Sequence, residues 1–263
     1  MVACGEPRGV SEGRTLLSAV VVVHNEETQL AECLDCLAFC DELVVVLDRC
    51  TDGSKAIAQH VGAHIIEGAW ELEGPRRHAG IDACAGGWIL EVDADERVPP
   101  ALAEEIGRVV DHSTASWHLI PVDNYIGERL VRFGWGASFG KGAYAGLYRK
   151  GAKHWGGERV HPKLTLLGAQ GPTLNEHLIH RVDNNISDLM TRLDRYTTAH
   201  AKDLRESGNI GSYPRNLRRI FTRFWKCYVA RHGYREGPYG FLIALCAGLY
   251  PILSYLKARL EKE

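Results

Sequence analysis

Trp88-Ile89-Leu90-Glu91-Val92-Asp93-Ala94-Asp95-Glu96 is the stretch that decides the fold. A nearly apolar run, read as a strand buried on both faces, breaks abruptly into carboxylates. Two similar transitions lie upstream. Ser18 to Val23 is a run of small and β-branched residues that ends in His24-Asn25-Glu26-Glu27. Glu42 to Leu47 ends in Asp48-Arg49-Cys50-Thr51-Asp52-Gly53. Continuous β-branched runs suit strands covered by helices on both sides. Helical spacing fills the intervals: Leu30, Cys33, Leu34 and Leu37 within 26–40, then 55–61, then 75–85 closed by Gly86-Gly87. Ala63 to Ile66 reads as a short third strand, and Pro99-Pro100 opens a helix to about Val110. Strand and helix alternating through short links predict an α/β fold with a mostly parallel sheet. Ligands of such sheets bind beyond the carboxyl ends of the strands. The three polar clusters all fall there.

The chain has 263 residues, 45% of them hydrophobic, enough for a substantial core, and its net charge of -2 gives no argument for a nucleic-acid partner, so none is expected. The first twenty residues hold no apolar signal core with a cleavage site, so a reducing cytoplasmic compartment is expected. Cys33, Cys36 and Cys40 then read as an apolar helix face; no second cysteine pair at zinc-ribbon spacing follows to favour chelation.

Beyond Ser116 the pattern is less regular, with short strands expected at 117–122, 143–148 and 163–167. From Ile186 it becomes helical, with Asn185 as N-cap and Asp188 three residues on. Tyr213 to Arg235 carries Arg215, Arg218, Arg219, Arg223, Lys226, Arg231 and Arg235 without one acidic residue, and Leu217, Ile220, Phe221, Phe224 and Tyr228 recur among them. Gly237 to Leu256 carries no charge. Pro251 and the glycines in this run favour a re-entrant or interfacial segment over a full membrane span. A basic amphipathic helix leading into an apolar one points to membrane association, with a core helix as the alternative. The chain is thus divided into a donor-binding half at 1–112, an acceptor-side half at 113–184, and a helical, membrane-associated region at 185–263.

Asp93 and Asp95, two carboxylates one residue apart on a turn, repel each other unless a cation sits between them. A divalent Mn2+ or Mg2+ removes that repulsion and commonly shares its oxygen ligands with substrate phosphates. A nucleotide diphosphate leaving group would be stabilised in this way. Asp48 is placed to accept hydrogen bonds from a base or ribose, while Asp52 reads as a cap of the next helix. Glu26 either faces the nucleotide or supports its helix start. Arg77, beside Arg76 and His78, suits a diphosphate or a solvated helix start equally. Transfer to a hydroxyl needs a general base, for which Glu158 is the candidate and His161 the substitute, both in a glycine-rich loop. His180 is open between a metal ligand and a structural histidine.

Three stretches now form a resemblance. Val21 to Glu27 with its His24-Asn25-Glu26-Glu27, Leu47 to Ser54, and Trp88 to Glu96 resemble the signature of family 2 glycosyltransferases with the GT-A fold. Glu158 to His161, Leu178-Ile179-His180, Leu193 to Thr197 and the tail from Gly233 resemble the bacterial subgroup that adds glucose to the heptose region of lipopolysaccharide core. The resemblance implies an inverting mechanism, a nucleotide-sugar donor (UDP-sugar favoured), and a divalent metal. It implies Asp95 as metal ligand, Asp93 at the ribose or metal edge, His180 closing the metal site, and Asp48 with His24, Glu26 and Arg77 on the nucleotide. It implies Glu158 as base. Acceptor and address would be a glycolipid at the cytoplasmic face of the inner membrane, the protein being peripheral or monotopic. The second-strand turn, usually Asp-Ser-Gly-Ser-Thr-Asp, is one residue shorter here and carries Arg49.

Other functions use overlapping parts. A polyprenyl-phosphate glycosyltransferase acts on an acceptor that is already an anion and needs no base. A nucleotidyltransferase would carry a basic glycine-rich loop after the first strand, where this chain has Glu26-Glu27. A non-catalytic sugar-binding module has no need of the full carboxylate set.

Overall fold

The computed structural model describes residues 15–136, 140–157 and 163–261. These separate into two compact units, one of residues up to 122, 143–157 and 163–180, the other of 123–136, 140–142 and 181–261.

In the first unit, β1 (Leu17–Val23), β2 (Glu42–Asp48), β3 (His64–Gly68) and β4 (Trp88–Asp93) pair in parallel in the order β3-β2-β1-β4. The helices α1 (Glu27–Asp35), α2 (Ser54–His60) and α3 (Glu73–Ala83) connect them. After β4 come the two-residue β5 (Glu96–Arg97), α4 (Pro100–His112), β6 (Trp117–Ile126), β7 (Arg129–Val131), β8 (Ala143–Arg149), β9 (Lys153–Trp155), β10 (Leu164–Leu166) and β11 (Leu178–Asp183). β8 lies antiparallel to β4, so the sheet is mixed, running β3-β2-β1-β4-β8-β6-β11-β5 among the described residues. This is the GT-A pattern: a parallel half made by crossover helices, which antiparallel strands extend.

The β-branched runs are buried as their composition demands. Val20, Val44, Val45 and Ile89 are fully buried, with Leu30, Cys33, Leu34, Cys36 and Leu37 packed against the sheet. The cysteine-bearing side of α1 is therefore core, with Cys33 and Cys36 buried in it. Burial pushes the Cys33 thiol far above its ordinary value. Helix α1 is shorter than its spacing predicts, ending at Asp35 and unwinding before β2.

The second unit is helical, built from α5 (Ile186–Glu206), α6 (Tyr213–Trp225), a short π-helical turn over Lys226–Ala230, and α7 (Pro238–Leu260). The Asn185 side chain accepts from the Asp188 N–H at 3.0 Å and so caps α5. The segment expected to be interrupted is instead the continuous 23-residue helix α7. Its glycines are packing contacts rather than breaks. A Cβ at Gly240 would collide with the Gly233 carbonyl, and one at Gly248 would lie 2.8 Å from the Ile220 oxygen. Ile243, Ala244, Cys246, Ala247 and Tyr250 form the core of this unit with Leu189, Leu193 and Cys227. Lys257 ties α7 to α5 through Asp194 at 2.6 Å.

Candidate functional site

The loops that follow β1 and β2 are stapled to each other. His24 Nδ1 is hydrogen-bonded to the Asp48 carbonyl at 2.6 Å, and the Thr51 N–H donates to Asn25 Oδ1 at 2.8 Å. The Glu27 N–H donates to Asp52 Oδ2 at 2.9 Å and the Gly53 N–H to Glu27 Oε2 at 2.6 Å. The Glu26 N–H donates to Ser54 Oγ, and the Glu26 carboxylate accepts from Gln29. These bonds satisfy the first N–H groups of α1 and α2 with side chains of the opposite loop. Asn25 and Arg49 hold positive φ of 57° and 52°, a conformation that asparagine tolerates and arginine adopts only when held.

Arg49 is held by Asp48. Its Nε and Nη2 both donate to the Asp48 carboxylate at 2.9 Å, and Nη2 also reaches the Trp70 carbonyl at 2.7 Å. Asp48 is fully buried and also accepts from the Trp70 N–H at 3.1 Å and from Arg76 Nη1 at 3.0 Å. Burial alone would push this carboxyl up. The bonds from Arg49, the Trp70 N–H and Arg76 outweigh it and hold the group below the ordinary aspartate range. The carboxylate thus organises two arginines at the end of β2. Neither contact is visible in the sequence, where Arg77 stands out no more than Arg76.

Arg77 points elsewhere. Its guanidinium donates to Glu73 at 2.8 Å, Glu91 at 2.7 Å and Asp93 Oδ1 at 3.0 Å, and lies over the Trp155 ring at 4.7 Å. Glu91, deep in β4, is also bound by Lys153 Nζ at 2.8 Å and by the Tyr148 hydroxyl at 2.9 Å. Burial would raise the Glu91 carboxyl, but Lys153 and Arg77 beside it hold it below its usual range. Glu91, Lys153 and Tyr148 were not candidates from the sequence. The available signal was Glu91 itself, a lone charge in an otherwise apolar strand, which requires a buried counter-charge.

The turn after β4 separates the two aspartates. Asp93 is ion-paired with Arg77, and its N–H donates to Glu96 Oε2 at 2.9 Å. Asp95 Oδ2 lies 3.3 Å from His180 Nε2, because β11 pairs with β5 in the register His180 opposite Glu96. Asp95 Oδ1 is buried without a hydrogen-bond partner. A buried carboxylate oxygen left unsatisfied is destabilising unless an ion or donor completes it. These residues fit a divalent cation. Two donors sharing one cation at about 2.1 Å sit about 3 Å apart, and the carboxylate suits Mg2+ or Mn2+. Among the described residues no group of three or more His, Cys, Asp or Glu side chains gathers around one point. Glu158 and His161 lie outside the described residues.

Comparison with known proteins agrees with this fold. The sequence model described as glycosyl transferase family 2 matches residues 18–157, more than half of the chain. A lipopolysaccharide core biosynthesis glycosyltransferase, LpsC of Rhizobium meliloti, is 27% identical over 261 residues, covering 92% of this chain and 91% of the relative. An uncharacterized glycosyltransferase of Rickettsia conorii is 24% identical over 257 residues, covering 92% of this chain and 89% of the relative. Among solved structures, S. aureus TarS 1-349 in complex with UDP matches with a TM-score of 0.49 at 14% identity, over 84% of this chain and 75% of that one. The matched region holds β1 through β9 with all three strand-end loops, and on that match the protein belongs to glycosyl transferase family 2 and is a glycosyltransferase of the GT-A fold.

Proposed function

We propose that this glycosyltransferase moves glucose, with inversion, from a UDP-sugar to a hydroxyl of a membrane glycolipid, the lipopolysaccharide core being the acceptor class. The observation that carries the donor side is the Asp95–His180 pair, 3.3 Å apart, with Asp95 Oδ1 buried and unsatisfied. Asp95 and His180 would hold Mn2+ or Mg2+, and Asp93 lies on the same turn. When bound, the cation supplies Lewis-acid stabilisation of the departing diphosphate. Asp93, paired with Arg77, would line the ribose side. His24, Glu26 and Asp48 shape the nucleotide end, with Asp48 acting through the arginines it orients. Glu158, with His161 as substitute, takes the proton from the acceptor hydroxyl as its oxygen attacks the anomeric carbon. The name of the Rhizobium meliloti relative supports the lipopolysaccharide assignment. The basic helix α6 of the second unit supports a position on the cytoplasmic face of the inner membrane.

The test is a thermal-shift panel of UDP-, GDP- and ADP-sugars with and without Mn2+. A bound ligand raises stability by mass action, so UDP-glucose with Mn2+ should give the largest shift. Asp95→Asn should lose the Mn2+-dependent part of that shift and the metal-dependent donor hydrolysis. An equal shift with and without metal, or one unchanged in Asp95→Asn, refutes the metal assignment.

A further inference from the structure

We propose that the exposed face of α6, and not the longer apolar helix α7, is the surface that enters an anionic phospholipid bilayer. This deepens the membrane placement above and rests on it. Helix α7 is long and apolar enough to cross a membrane, but 61% of its most apolar window is buried within the protein. Most of its apolar residues pack in the core shared with α5 and the π-helical turn, although Phe241 and Leu260 are exposed.

Helix α6 has the opposite arrangement. Tyr213, Leu217, Phe221 and Trp225 recur at every fourth position, a spacing that aligns side chains along one helix side. All four are exposed, Phe221 at 71% and Trp225 at 64%. Such a row of large apolar side chains on one helix is far from the scattered single exposures that a soluble surface carries. Asn216 and Cys227 face inward.

The chemistry of the flank names the occupant. Arg215, Arg219 and Arg223 form a second row at the same spacing, and Arg218 and Lys226 are exposed beside the apolar row. No acidic residue occurs from Ser207 to Arg235. Like charges four apart on a helix oppose each other. Burial, then Arg223 and Arg215, press the Arg219 guanidinium below its ordinary value. A sheet of lipid phosphates relieves that crowding while the headgroup boundary takes up Phe221 and Trp225. A protein partner would have to supply an acidic rim and an apolar groove together; an acidic bilayer has both.

The test is co-sedimentation of the full chain with vesicles of phosphatidylethanolamine and phosphatidylglycerol, with phosphatidylcholine vesicles as the neutral control. The protein should partition onto the acidic vesicles, and less so as salt rises. Phe221→Ser with Trp225→Ser should weaken partitioning tenfold or more. Arg215→Gln with Arg218→Gln should weaken it about fivefold per charge removed. Donor hydrolysis should be unchanged in both, and circular dichroism reports whether α6 remains folded. Wild-type binding with unchanged partitioning of both folded variants overturns the α6 assignment and leaves the membrane placement standing. Failure of the wild-type protein to bind acidic vesicles overturns the placement itself. A wild-type dimer made monomeric by Phe221→Ser with Trp225→Ser would mark the face as a self-interface and likewise overturn the proposal.

Discussion

Lys153→Met tests the physical reading of the β4 charge cluster. Lys153 is buried, with Nζ 2.8 Å from Glu91 Oε2 and 2.9 Å from the Ala145 carbonyl, against the rings of Trp155 and Tyr148. Methionine keeps most of the stem and removes the charge. Breaking a buried pair by deleting one partner costs about 3–5 kcal/mol, because the other charge is left uncompensated. Glu91 retains Arg77 at 2.7 Å and the Tyr148 hydroxyl at 2.9 Å, which places the expected loss at the low end, about 3 kcal/mol. In urea unfolding this is a midpoint shift of about 1 M or more. The dependence on pH carries a definite sign. The folded Glu91 carboxyl lies below its unfolded value, so its contribution is present above the unfolded pKa and disappears as pH falls through the folded one. Removing Lys153 removes the leading cause of that lowering, so the variant should lose less stability than the wild type as pH falls. The gap between the two proteins should narrow in acid, where a protonated Glu91 needs no counter-charge. Adding Glu91→Gln to Lys153→Met should restore part of the loss, giving a non-additive cycle. A deficit under about 1 kcal/mol at neutral pH, with an additive double variant, would refute the claim that the pair is coupled.

Three further outcomes follow from particular residues. Gly248→Val, which brings a Cβ to within 2.8 Å of the Ile220 carbonyl, should destabilise the α6–α7 packing by about 1–3 kcal/mol, seen as a lowered thermal midpoint. Glu158→Ala should leave donor binding intact while lowering turnover on a hydroxyl acceptor by about a hundredfold or more; near-normal turnover would favour a phosphate acceptor, which needs no base. Arg49→Ala should weaken UDP-sugar binding without abolishing Mn2+-dependent hydrolysis, because Arg49 is locked on Asp48 at the β2 end and not on the Asp95 turn; calorimetric titration of donor reads the difference.

Much of the first unit was legible from sequence because its signals are local. An apolar run that halts at a carboxylate marks the end of a buried strand. This marked Ser18 to Val23, Glu42 to Leu47 and Trp88 to Val92, and the family motifs agree with it. Asn185 with Asp188 likewise announced the start of α5. Such readings depend on neighbours within a few residues of each other.

What tertiary structure alone decided is pairing across distance. Asp93 and Asp95 look equivalent in the chain, yet a turn sends one to Arg77 and the other to His180, which lies 85 residues away in sequence. Arg76 and Arg77 are adjacent but serve different carboxylates, Asp48 and the Glu91 cluster. Composition offered both a membrane segment and a core helix for Gly237 to Leu256, and only the structure shows α7 largely packed within the protein while Tyr213, Leu217, Phe221 and Trp225 of α6 are exposed. The physical reason is common to all three. Periodicity reveals that a face is apolar or charged, whereas the partner that satisfies it is set by which elements the fold brings alongside.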